Sequence, residues 1–148
     1  MSDRDAALAA VQAALAAEHA AVYGYGIVGG RIGTELRKEA REAYDAHRAR
    51  RDALARTVRD LNGEPEPAQA AYALPFTVPD GDAAIRLAAE LEDRVAGVYA
   101  DLVRAGEGAR RREAADALRE AAVRSARWRG SGVAFPGLAE HAETPQKR

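Results

Sequence analysis

The sequence predicts an all-α chain of four long helices, arranged as two antiparallel hairpins joined by one long crossover. Three observations predict it. Apolar residues recur in steps of three and four along most of the 148 residues. Glycines punctuate that pattern at Gly29-Gly30, Asn62-Gly63 and Gly106. Midway, Pro65, Pro67, Pro75 and Pro79 forbid a helix over one stretch only.

The first helix begins at Ser2, where Asp5 three residues on resembles a capping box, and runs to about Val28. Its seam reads Leu8, Val11, Leu15, Glu18, Val22, Tyr25, in steps that keep one helix face. Glu18 thus stands where a leucine is expected. A buried carboxylate is costly unless it is paired, protonated or bound to a cation.

A second helix follows from about Thr34 to Leu61, with a seam of Leu36, Ala40, Ala43, His47, Arg50, Leu54, Val58 and Leu61, and with Tyr44 and Arg51 at its edge. Residues 63 to 80 form the crossover. In it Tyr72, Leu74, Phe76 and Val78 alternate with smaller or polar residues, which describes an extended segment laid on an apolar surface. Its ~18 residues span roughly 60 Å when extended, more than the about 39 Å of a ~26-residue helix. The third helix starts near Asp80 or Asp82 and ends before Gly106, on a seam of Ile85, Ala88, Glu92, Val95, Tyr99 and Leu102. Glu92 interrupts this seam as Glu18 does the first. The fourth helix is expected from about Ala109 to Trp128, with Leu118, Ala122 and Ser125 inward and Gly130 as its stop.

Size and composition describe one domain over residues 1–140, followed by a disordered tail over 141–148. Val133, Phe135 and Leu138 are candidates to pack on the helices. Net charge is -1, so no global field draws the chain to nucleic acid or an anionic membrane. The arginine runs 48–51 and 110–112 are offset by Asp45, Asp52, Glu113 and Asp116 and read as solvated helix faces. Absence of cysteine excludes disulfides and thiolate chemistry. The polar, acidic start lacks the form of a signal peptide, and no run reaches the ~18 consecutive apolar residues of a membrane span. The expectation is a cytoplasmic protein without a nucleic-acid or membrane partner. A homodimer through an outer apolar face is left open.

Counting from the hairpin turns puts Glu18 and His47 within about one helical turn of the same height, and Glu92 likewise near the middle of the bundle. The expected buried polar layer is Glu18, Tyr44, His47 and Glu92, with Arg50, Arg51 and Arg124 as the arginines able to answer the carboxylates; Arg127 is a further candidate. In place of a metal, arginines or tyrosines can answer the carboxylates, with His47 joining the network, and arginine's planar fork suits that pairing. Tyr23, Tyr25, Tyr99 and Trp128 read as packing residues, and His19 as a flank of the core.

The stretches Ala17-Glu18-His19-Ala20-Ala21-Val22-Tyr23-Gly24-Tyr25, Ala46-His47-Arg48-Ala49-Arg50-Arg51-Asp52, Leu91-Glu92-Asp93-Arg94 and Arg127-Trp128-Arg129-Gly130 resemble a family of small bacterial ferritin-like proteins that is a domain of unknown function. The resemblance spans roughly residues 5 to 138 and implies a ferritin-like four-helix bundle. Di-iron members of that superfamily take a Glu from each of two helices and Glu-x-x-His from each of the others. Glu18 and Glu92 match the lone glutamates and His47 the first histidine. Tyr44 stands where the second helix needs its carboxylate. The fourth helix offers Ala121, Ala122, Arg124 or Ser125, so a complete di-iron site is not expected.

Two functions from different classes follow. One is a non-catalytic binding or interaction module with a degenerate metal site and no cofactor. The other is a mononuclear oxidoreductase or metal-binding protein, in which Glu18, His47 and Glu92 hold a single Fe or Mn ion, a ligand set that also suits Zn. The absence of a carboxylate at the Ser125 level favours the first.

Overall fold

The computed structural model describes residues 2–132. Four α-helices account for most of them: α1 (Asp3–Arg31), α2 (Arg37–Asp60), α3 (Gly81–Ala105) and α4 (Gly108–Gly132), with a single 3-10 turn, Thr34–Leu36, before α2. No strand occurs among the described residues. The expectations for Val133, Phe135, Leu138 and residues 141–148 fall outside them.

Helix starts follow from local chemistry. Ser2 caps α1 through its side chain to the Asp5 amide (3.1 Å), and Asp5 answers the Ser2 amide (3.4 Å), so the capping box forms. Asp80 caps α3 by accepting from the Ala83 amide at 2.9 Å. Asn62 takes a left-handed conformation (φ 60°) and closes α2, a role its short polar side chain tolerates.

Two helix ends depart from expectation. α1 runs through Gly29-Gly30 to Arg31, and the reversal falls at Ile32-Gly33. Buried Ile32 anchors the end, its amide still bonded to the Val28 carbonyl at 2.8 Å, so hydrogen bonding outweighs the glycine penalty. α4 likewise passes Gly130 and continues to Gly132.

α1 packs along α2 and α3, and α3 packs along α4; α2 and α4 do not pack closely. The inward face of α4 is Ala114, Ala117, Ala121, Ser125 and Trp128, which corrects the expected phase: Leu118 is half-buried and Ala122 is exposed. Trp128, the largest buried side chain, sets this rotation. One apolar cluster gathers Val11, Leu15, Leu54, Val58 and Leu102; a second gathers Val28, Ile32, Leu87 and Trp128. The polar layer lies between them.

The connection from Leu61 to Asp80 lies along α1. Arg4 donates to the Leu61 carbonyl (2.8 Å), Gln12 to the Glu64 carbonyl (2.6 Å), and His19 bonds the Glu66 carbonyl (2.9 Å). Tyr23 then meets Tyr72 at 5.6 Å between ring centres. Tyr72, Leu74, Phe76 and Val78 are half-buried while Ala71, Ala73, Pro75, Thr77 and Pro79 are exposed, the alternation of an extended chain on an apolar bed. α1 is also the one described helix long and apolar enough to cross a membrane by length and composition. Here it packs on two helices and the connection.

Candidate functional site

Glu18 on α1, His47 on α2 and Glu92 on α3 meet in the core, each at most 1% exposed. His47 lies between the two carboxylates. Its Nδ1 is 2.5 Å from Glu18 Oε2 and its Nε2 is 2.6 Å from Glu92 Oε1. The unused oxygen of Glu18, Oε1, accepts from the Tyr99 hydroxyl at 2.7 Å. The Tyr25 hydroxyl donates to Glu92 Oε1 at 2.9 Å and itself accepts from Trp128 Nε1 at 2.9 Å. Tyr25 also stacks on the imidazole, with ring centres 5.4 Å apart at 25°. A continuous chain thus runs from Trp128 through Tyr25, Glu92, His47 and Glu18 to Tyr99.

Each helix supplies its members by spacing. Tyr25 follows Glu18 by two turns on α1, and Tyr99 follows Glu92 by two turns on α3. On helices running in opposite directions, each tyrosine comes level with the other helix's glutamate. Gly24 keeps the helices close at this height: a Cβ there would stand 2.5 Å from Leu91 Cδ1.

The electrostatics follow from this wiring. Burial alone would lower the His47 pKa, but hydrogen bonds to Glu18 and Glu92, and their charges, lift it to about 9. The imidazole is therefore a cation at neutral pH, bridging two carboxylates. Burial, together with the charges of the adjacent carboxylates, pushes the Tyr25 and Tyr99 phenols far above their ordinary range, so both remain donors. Glu92 Oε2 is the one buried side-chain polar atom without a partner among the described residues.

The other expected members lie elsewhere. Tyr44 does not join the layer: it is half-buried and lines a hollow between α1 and α2 with Gly26, Gly29 and Arg37, under the Arg48 guanidinium. Arg50 pairs with Glu120 on α4 at 2.9 Å, and Arg51 with the adjacent Asp52 at 3.1 Å. Both leave α2 at the edge of the buried face, and their length carries the guanidinium outward. Arg127 is exposed. Only Arg124 approaches a layer carboxylate, at 3.9 Å from Glu92 Oε1, with Glu120 also 3.9 Å away. Histidine and two tyrosines hydrogen-bond the glutamates, and of the expected arginines Arg124 alone pairs with one of them.

Tyr25, Tyr99 and Trp128, which read as packing residues in the sequence, are hydrogen-bonded members of the layer. The signal was present: each tyrosine lies on the same seam as a glutamate. Next to the layer, Ser125 donates to Asp93 at 2.6 Å and Arg129 pairs with the same carboxylate. Burial would raise the Asp93 carboxyl, but Arg129 and Ser125 hold it below the usual range.

The donor set can be tested against a metal ion. The two imidazole nitrogens lie on opposite sides of the ring, and each is taken up by a carboxylate. Among the described residues, no three His, Asp or Glu side chains are grouped so as to hold a cation.

The class so defined is an all-helical protein built around a buried, mutually bonded Glu–His–Glu layer. The chain belongs to the family described as a domain of unknown function, DUF4439, whose model matches residues 10–140. It is similar to a conserved hypothetical protein, rv2844, of Mycobacterium tuberculosis. The two share 35% identity over 91% of this chain and 96% of that one, and the crystal structure of that protein superimposes with a TM-score of 0.87. No curated protein matches the sequence.

Proposed function

We propose that the chain is a ferritin-like four-helix bundle in which a closed hydrogen-bond network occupies the level of a metal centre, and that it serves as a non-catalytic binding module. The observation that carries this reading is the engagement of both His47 nitrogens by Glu18 and Glu92. Three of the six side chains of a di-iron site have counterparts, and His47 among them bonds both glutamates. On α4, Ala121 and Ser125 face the core, and neither replaces a bridging carboxylate.

The connection supports the ferritin-like topology. It follows α1 from Arg4 to Tyr23 and delivers α3 beside the far end of α1, where a Cβ on Gly81 would stand 3.5 Å from the Arg31 carbonyl. α2 and α3 then run parallel, which is the crossover arrangement. The reading assigns the protein to the cytoplasm, with the apolar surface of α1 spent on α2, α3 and the connection.

A second reading, a single Fe or Mn ion at Glu18, His47 and Glu92, is favoured by the unpartnered Glu92 Oε2 alone. Elemental analysis of protein from iron- and manganese-supplemented growth separates the two. The expected result is well under one metal per chain. Near-stoichiometric metal that disappears in both Glu18→Ala and His47→Ala would overturn the non-catalytic reading and favour an oxidoreductase.

A further inference from the structure

The polar layer is roofed on one side only by charged side chains. Because α2 and α4 do not pack closely, the seam between them is bridged by Arg50–Glu120 and, at longer range, by Arg124–Glu120. Beneath this bridge lie Glu18, His47 and Tyr99. Beside it, sharing Arg50 and Tyr99, is a cavity of about 50 Å³ lined mainly by Val11, Leu54, Thr57, Leu102 and Ala114. Two guanidinium groups facing one carboxylate beside an apolar cavity form a recognisable pattern. Glu120, itself 47% exposed, supplies that carboxylate from the protein's own surface.

We infer that the α2–α4 seam is a binding site for a short-chain monocarboxylate, and that Glu120 occupies the place of the ligand's headgroup. This names the ligand class for the binding-module reading and rests on it. Arg50 and Arg124, 30% and 24% exposed, are sheltered enough to favour an anion and open enough to exchange one for another. Displacing Glu120 into water costs little, since ion pairs between half-exposed side chains contribute little to stability. The apolar cavity restricts the tail. It accepts about three or four carbons, whereas a second carboxylate would lose its hydration among Val11, Leu54 and Leu102. Arg110 and Glu113, one of each sign, stand at the cavity's far edge and leave it without a net field.

Titration of the full chain with butyrate, followed by amide chemical shifts, tests the inference. Saturable shifts confined to the seam residues of α2 and α4 are expected, with a dissociation constant on the order of 1 mM for so small a ligand. Glu120→Gln should tighten binding by roughly tenfold, because it removes the competing carboxylate. Arg50→Gln and the cavity-filling Ala53→Leu should each weaken it at least about tenfold, with helix content checked by circular dichroism. Butanol, which fills the cavity without the charge, should not saturate. The proposal is overturned by absence of saturable binding, by equal binding of butanol, or by unchanged affinity in Glu120→Gln and Arg50→Gln. The metal measurement above is independent of each of these outcomes. Stoichiometric metal with butyrate binding intact would sink the non-catalytic reading, while a metal-free chain that ignores butyrate would sink the ligand.

Discussion

Tyr99 of α3 donates to Glu18 of α1 across the helix pair, and two turns away Tyr25 of α1 returns the same bond to Glu92 of α3. The two bonds are related by reversal of the helices, so the layer has an approximate internal two-fold. Their loss should therefore be similar. Tyr25→Phe and Tyr99→Phe are each expected to lower unfolding free energy by about 1–3 kcal/mol, the range for bonds to charged groups. Urea denaturation measures both. A loss near zero in either would show that its hydroxyl does not support the carboxylate.

Stability should fall as pH rises. His47 is raised from 6.5 to about 9 in the folded protein. A folded pKa above the unfolded one means the native state holds its proton more tightly. The contribution is complete below about pH 6.5 and is lost as pH climbs through about 9. Its size is about 3 kcal/mol. Urea midpoints between pH 6 and pH 10 should trace this decline, and His47→Gln should flatten it. An unchanged slope in the variant would assign the effect to other groups.

Glu18 and Arg129 are both hydrogen-bonded, yet their substitutions should differ sharply. Glu18→Gln leaves the His47 cation with one carboxylate in a dry core, at a cost of roughly 3–5 kcal/mol. Arg129→Ala removes a pair to Asp93 in which both side chains are nearly half exposed, and the cost should stay under about 1 kcal/mol. Thermal denaturation of the two variants side by side decides the matter. Equal losses would contradict the burial argument.

Gly24→Ala tests how closely α1 and α3 approach. The added methyl would stand 2.5 Å from Leu91 Cδ1 and 2.8 Å from Leu91 Cδ2, so Leu91 must leave its rotamer or the helices must part. Overpacking of this kind costs about 1–3 kcal/mol, against a helix-propensity gain near 1 kcal/mol. A net loss of stability is expected. Pairing it with Leu91→Ala should recover part of the loss, which denaturation of the double variant measures.

The seams of α1 and α3 were legible because leucine and valine mark the face clearly, and a glutamate among them announces a buried charge. The same logic failed on α4. Its inward positions are mostly alanine, and alanine occurs on both faces, so Leu118 misled the phase that Trp128 actually sets. Tyrosine is ambiguous in a different way. It packs like an apolar residue, and only its register against another helix makes it a donor; that register was computable from two seven-residue spacings. Arginine is ambiguous because its reach is compatible with many acidic partners. Geometry had to choose, and it gave Arg50 to Glu120 and Arg51 to Asp52.

Small, smooth interfaces such as the alanine-rich contact of α1 with α3 offer few knobs to tell one alignment from the next. Sliding one helix by a turn would move Leu91 off Gly24, and it would also strand two carboxylates, two phenols and an imidazole together. The Glu–His–Glu layer thus acts as a detent, penalising every alignment that leaves its members unpaired. Replacing its five members by apolar residues of similar volume should leave helix content intact while splitting amide resonances along α1 and α3 into several exchanging sets. A single sharp set in that variant would show that packing alone determines the alignment.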